Sequence, residues 1–116
     1  MMIYYAYTTE STDTITDSRD LGIISKAFPL DEIMCPVVTL RDNCRKLVRE
    51  SDILVFSTRG GTVSRTVFED VTLAQSERKP VFLIDRRNHT LILWSGSFLI
   101  VDRSDWKLNY ARPVSA

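Results

Sequence analysis

Two uninterrupted apolar runs, DILVF at 52–56 and PVFLI at 80–84, constrain this chain more than any other feature. Neither alternates apolar with polar residues, so neither can rest with one face in water. Continuous runs of this length suit strands buried on both faces of a parallel sheet. About two dozen residues lie between them, room for a loop and a crossover helix, so the segment is expected to be a βαβ unit with a right-handed crossover. MIYYAY at 2–7, β-branched and aromatic, is expected to add a strand to the same sheet.

The Thr/Ser/Asp-rich stretch TTESTDTITDSRD (8–20) has no apolar periodicity and reads as a long polar loop. DLGIISKAF (20–28) can form a short helix, ended by Pro29 because a proline biases its predecessor away from helix. EIMCPVV (32–38), interrupted by Pro36, reads as a short or edge strand. The spacing of Leu40, Cys44, Leu47 and Val48 predicts a helix over 39–51, with Thr39 and Asp42 as its cap. Beyond Asp85, TLILW, SFLIV and WKLNYA are separated by Ser95-Gly96 and DRSD, and read as antiparallel strands. The sum is one domain over residues 1–116. Its expected fold is α/β, a three-layer Rossmann-like or flavodoxin-like sandwich with a mostly parallel sheet and C-terminal antiparallel strands.

Fifteen Lys and Arg balance fifteen Asp and Glu, so no global field draws the chain to nucleic acid or to an anionic membrane. No apolar run approaches the roughly 18 to 20 residues that a membrane span needs. The first residues also lack the basic-then-apolar order of a leader, and the expectation is a cytoplasmic protein. Cys35 and Cys44 have neither a CxxC partner nor His-bearing metal spacing and are expected to be small buried residues, with no metal and no cofactor implied. Arg41, Arg45, Lys46 and Arg49 on the 39–51 helix form either a solvated face or an anion-binding stripe. His89, in RRNH, reads as a surface turn residue, and Trp94 and Trp106 as core or interface aromatics.

In an open α/β sheet, ligands lie beyond the carboxyl ends of the strands. Two loops qualify, TTESTD (8–13), with Thr8 and Asp13, and STRGGT (57–62). The second is chemically richer. Gly60 and Gly61 permit positive φ and close backbone approach, and the helix that follows directs unpaired amides toward the loop. Ser57, Thr58 and Thr62 supply hydroxyls, while Arg59 and Arg65 supply charge for a phosphate or carboxylate. Glu69 has two readings. Thr66-x-x-Glu69 matches a capping box, and a first-turn carboxylate beside a glycine loop is also placed to act as nucleophile or base.

Taken together, IYYA (3–6), SDILVF (51–56), and GGT followed by a helix with Glu69 and Ala74 and then KPVFLI (79–84) resemble the nucleoside 2-deoxyribosyltransferase-like superfamily of small Rossmann-like domains. The resemblance covers about the first 85 residues. It implies binding of a nucleoside or nucleotide and cleavage or transfer at the N-glycosidic bond, with Glu69 as carboxylate nucleophile and Tyr4 as its supporting tyrosine. It also implies a homo-oligomer. Apart from the resemblance and with no motif behind them, Tyr110 and Arg112 near the C-terminus are candidates to complete a neighbouring subunit's pocket. The alternative is a non-catalytic nucleotide-binding or sensor domain that uses the Gly-Gly loop and its arginines without turnover.

Overall fold

The computed structural model describes residues 1–7, 14–34, 41–104 and 109–115. Its elements are β1 (Met2–Ala6), α1 (Thr14–Ala27), β2 (Glu32–Met34), α2 (Arg41–Glu50), β3 (Ile53–Phe56), α3 (Arg65–Ser76), β4 (Val81–Asp85), β5 (Thr90–Leu93), β6 (Ser97–Ile100) and β7 (Ala111–Val114). The first five strands form one sheet in the order β2-β1-β3-β4-β5, and β6 pairs with β7 in a second sheet. β1 through β4 are mutually parallel and β5 runs antiparallel to β4. This is the flavodoxin-like order, which reverses direction between β1 and β3.

The apolar runs are buried on both faces, as their lack of alternation requires. Ile53 and Val55 join Ile3, Tyr5 and Ile84 against Ile23 and Ile24 of α1. Leu54 and Phe56 join Tyr4 and Ala6 against Val48 of α2 and Val67, Val71 and Ala74 of α3. The sheet is therefore the middle of three layers, with α1 on one face and α2 and α3 on the other.

The structure departs from the sequence expectation at three places. Helix α1 begins at Thr14, six residues before the helix expected over 20–28, because TITDSR, though too polar to show apolar periodicity, continues the helix whose buried stripe holds Asp20, Ile23 and Ile24. The C-terminal extension is divided, since only β5 joins the main sheet. Its last strand is ARPV rather than WKLNYA, of which residues 106–108 lie outside the described residues. Pro113 is tolerated because β7 pairs along its length with β6 alone, its other neighbour Val63 bridging it only at Ala111. Finally, Thr66 does not cap α3. Ser64 is the N-cap, its hydroxyl accepting from the Val67 amide at 3.3 Å. The proposed Thr39 cap and Cys35 lie outside the described residues.

The β6–β7 sheet packs over α3. Trp94, Phe98 and Tyr110 join Phe56 and Phe68 in an aromatic cluster, with Trp94 5.1 Å from Phe56 and 5.0 Å from Phe98. Trp94 is thus core, and Trp106 lies outside the described residues.

Helix α3 ends in a Schellman arrangement. The Lys79 amide donates to the Ala74 carbonyl at 3.0 Å and the Arg78 amide to the Gln75 carbonyl at 3.0 Å. Arg78 adopts φ 57°, where glycine carries no Cβ penalty. Lys79 then donates its ammonium to the Arg49 and Ser51 carbonyls at the end of α2, so the KP pair ends one helix and caps another. Arg78→Gly is expected to raise stability by roughly 0.5 to 1 kcal/mol. A urea midpoint unchanged or lowered in the variant would show that the Arg78 side chain contributes more than its backbone costs.

Candidate functional site

The Gly-Gly loop is a miniature hairpin. The Arg59 amide donates to the Thr62 carbonyl at 2.8 Å and the Thr62 amide to the Arg59 carbonyl at 3.1 Å. Between them Gly60 and Gly61 have φ of 58° and 80°. Positive φ at both central residues is the requirement of a type I′ turn, which explains why both are glycine. The Val63 amide donates to the Ala111 carbonyl at 2.8 Å, and the Val63 carbonyl accepts from the Tyr110 and Ala111 amides. The amides of residues 59, 62 and 63 are therefore engaged within the fold, and the loop is fastened to β7.

The expected site residues separate into distinct environments. Glu69 lies in the second turn of α3, its Oε1 3.1 Å from Arg65 Nε and its Oε2 3.9 Å from an Arg45 nitrogen on α2. Arg65 also lies over the Tyr110 ring at 5.8 Å. Tyr4 does not meet Glu69: it is fully buried and donates its hydroxyl to Asp70 Oδ2 at 3.0 Å. Ser57 is buried, with its Oγ 3.0 Å from the Tyr5 hydroxyl. The Thr58 carbonyl accepts from Arg86 at 2.5 Å, and Thr62 Oγ1 lies 3.0 Å from the Arg59 carbonyl. Thr8 and Asp13 lie outside the described residues.

What the fold assembles at β1 is a pair of tyrosine–aspartate contacts, one on each face. Because side chains alternate along a strand, Tyr4 faces α3 and Tyr5 faces α1. Tyr5 donates to Asp20 Oδ2 at 2.8 Å, and Asp20 is fully buried. Arg86, the first residue after β4, closes on the same carboxylate, with Nε 3.0 Å from Oδ1 and a terminal nitrogen 2.8 Å from Oδ2. This fork-to-carboxylate pairing matches guanidinium geometry to both oxygens. Arg86 thereby ties the β4–β5 hairpin to α1 and, through Thr58, to the end of β3. Cys44 of α2 adds a further polar neighbour to the Tyr4 hydroxyl.

Burial above all, and then the Asp70 carboxylate, push the Tyr4 phenol far above its ordinary value of 10.0. Burial likewise pushes Tyr5 far up; the Ser57 hydrogen bond lowers it and Asp20 raises it further. Both phenols are therefore fixed donors, unable to serve as bases near neutral pH. Among the described residues no cluster of three or more His, Cys, Asp or Glu is placed to hold a metal.

Tyr5, Asp20, Asp70 and Arg86 were not singled out by sequence reasoning, yet two signals mark them. Consecutive tyrosines in a buried strand need a partner for each hydroxyl on opposite faces. Asp20 falls on the apolar stripe of α1 with Ile23 and Ile24, and Asp70 on that of α3 with Val67, Val71 and Ala74. A carboxylate on such a stripe must be paired inside.

The raised phenols set an alkaline limit on stability. Each stays protonated when folded but ionises near pH 10 when unfolded, so stability is fully present below about pH 10 and falls above it, by up to about 2.7 kcal/mol per pH unit for both together. Absorbance at 295 nm during alkaline titration should show Tyr4 and Tyr5 ionising only with unfolding. Four tyrosines titrating freely near pH 10 would contradict the two buried contacts. Replacing Arg86 by Met should cost about 3 kcal/mol, because it leaves the buried Asp20 without its counter-charge; a loss below about 1 kcal/mol in urea unfolding would place the pair at the value of a surface bridge. No protein-family model, no curated protein and no solved structure matches this chain.

Proposed function

We propose that this domain binds a nucleoside or nucleotide over the carboxyl ends of β1 and β3 and cleaves or transfers at its N-glycosidic bond. The observation that carries this reading is the Tyr4–Asp70 contact, which holds a carboxylate against a tyrosine of the central strand. The three segments behind the family resemblance supply adjacent strands of the sheet: IYYA lies in β1, SDILVF contains β3 and KPVFLI holds β4 up to Ile84. The reversal of strand order between β1 and β3 opens a crevice where ligands collect in folds of this order.

In this reading the attacking group is Asp70 rather than its neighbour Glu69, because Asp70 is the carboxylate that Tyr4 touches. A carboxylate oxygen forms a bond to the anomeric carbon as the carbon–nitrogen bond breaks. The electron pair leaves with the base, which takes up a proton. Water or a second base then opens the glycosyl ester and frees the carboxylate. Tyr4, held protonated by burial, orients Asp70 throughout. Glu69 acts as an ionic strut between α3 and α2.

The pairing of Glu69 with Arg65 and Arg45 favours a second reading, binding without turnover, in which a phosphate or carboxylate competes with Glu69 for Arg65. The two separate in one experiment. The protein is incubated with nucleosides, deoxynucleosides, nucleoside monophosphates and NAD, and free base is followed by chromatography. The catalytic reading expects base release that falls at least about a thousandfold in the isosteric Asp70→Asn variant and persists in Glu69→Gln. Release lost in Glu69→Gln and kept in Asp70→Asn would return the nucleophile to Glu69. Binding without release, lost in Arg65→Ala, supports the sensor. Binding to none of these compounds sinks both.

A further inference from the structure

We propose that the domain carries a second ligand site, for a ring-bearing carboxylic acid, in the cavity between the last turns of α1 and the β4–β5 hairpin. The cavity follows from how the sheet is covered. Five strands span about 19 Å at about 4.8 Å per step, whereas a helix with its side chains is about 10 to 12 Å across. Among the described elements α1 is the helix on its face, because α2, α3 and the β6–β7 sheet all pack on the other. One helix cannot close that width. A cavity of about 640 Å³ opens where the last turn of α1 meets the β4–β5 hairpin.

Its lining has two characters. Ile23, Phe28, Phe82 and Leu91 form an apolar end, with Phe28 and Phe82 in an edge-to-face contact at 5.9 Å. Three of these four are only partly buried, so apolar surface stays open here that a ring would remove from water. Lys26, Asn88, His89 and Thr90 supply the polar part of the lining. A volume of a few hundred Å³ with apolar walls and a few polar groups is what small organic ligands occupy.

The charge at this cavity is positive. A smaller cavity of about 90 Å³ shares Ile23 and His89 with it and adds Arg19, Asp20 and Arg86. Arg19, Ile23 and Lys26 fall at i, i+4 and i+7, one face of α1 turned to the hairpin. The carboxylate in this lining, Asp20, is already held by Tyr5 and Arg86. Arg19 and Lys26 have no carboxylate partner among the described residues. His89 is set by the hairpin itself: its φ of 54° follows a turn in which Asp85 accepts from the Arg87 and Asn88 amides at 3.1 and 3.2 Å. An apolar recess beside cations that meet no carboxylate among the described residues is complementary to a ring with a carboxylate attached.

Nitrogen-15-labelled protein is titrated with 3-phenylpropionate and with 3-phenylpropan-1-ol, its neutral counterpart, and amide shifts are followed by NMR. Saturable shifts confined to residues 23–28 and 88–91 are expected, with the acid binding more tightly than the alcohol. Lys26→Glu should weaken the acid roughly fivefold, as expected for a partly screened charge, and leave the alcohol unchanged. Ala27→Trp, at an exposed position lining the cavity, should block both ligands. Absence of saturable shifts, shifts centred elsewhere, or equal affinity for acid and alcohol would overturn the site, and the alcohol comparison decides even if a variant fails to fold. Tyr4 and Asp70 lie across the sheet, so the outcome is independent of base release.

Discussion

β1 runs between β2 and β3 with Tyr4 and Tyr5 pointing into opposite layers, and neither hydroxyl can reach water. An unpaired buried hydroxyl costs about 1 to 3 kcal/mol, a sizeable part of the net stability of a domain of this size. Each phenol finds an aspartate set into the apolar stripe of a helix. The cost of burying a carboxylate is thus met by the group whose own burial needs it, on both faces of one strand. This couples helix register to the sheet. A one-residue rotation of α3 would swing Asp70 away from Tyr4 by about 100° and point Glu69 toward the core, and the same holds for Asp20 on α1.

Arg86 extends that constraint to the part of the fold that varies most from a regular doubly wound sheet. Where the chain turns back after β4, it sends a guanidinium across to Asp20 and the Thr58 carbonyl, so the hairpin, α1 and the end of β3 are held at one point. On the opposite face the Gly60-Gly61 turn is held through Val63 to Ala111. Both loops at the carboxyl ends of β3 and β4 are therefore braced by distant segments. Bracing of this kind positions side chains without cost at the moment a ligand arrives.

Much of the sheet was legible because continuous apolar runs admit few alternatives. DILVF and PVFLI became β3 and β4, the basic helix became α2, and the proline-broken segment became the edge strand β2. What escaped was polar and buried. The first turns of α1, TITDSR, hold a single apolar residue, so hydrophobic periodicity read them as loop, and it gave no sign that Asp20 is buried. The T-x-x-E match drew attention to Glu69, whereas Ser64, two residues earlier, holds the helix start and leaves Glu69 to Arg65 and Arg45. The Gly-Gly pair was readable as needing positive φ, but not as a turn whose flanking amides pair with each other, because that depends on Val63 being anchored by a strand almost fifty residues away.

The two faces of the sheet end up chemically unequal, and the route of the chain after β5 explains why. Instead of crossing back as a helix over α1's side, it builds β6 and β7 against α3, burying Trp94 and Tyr110 there and packing the partly buried Phe98 against them. That face becomes thick and aromatic, with its tyrosine–aspartate contact buried between the sheet and α3. Among the described elements the α1 face receives a single helix; Tyr5 and Asp20 are buried beneath it, while Arg86 and the apolar recess stay partly open to solvent. A buried carboxylate contact on the α3 face can be chemically selective only for a ligand that enters from the strand ends. On the open face, by contrast, the same sheet exposes cations and aromatic edges directly, so recognition there depends on complementarity at the surface rather than on entry.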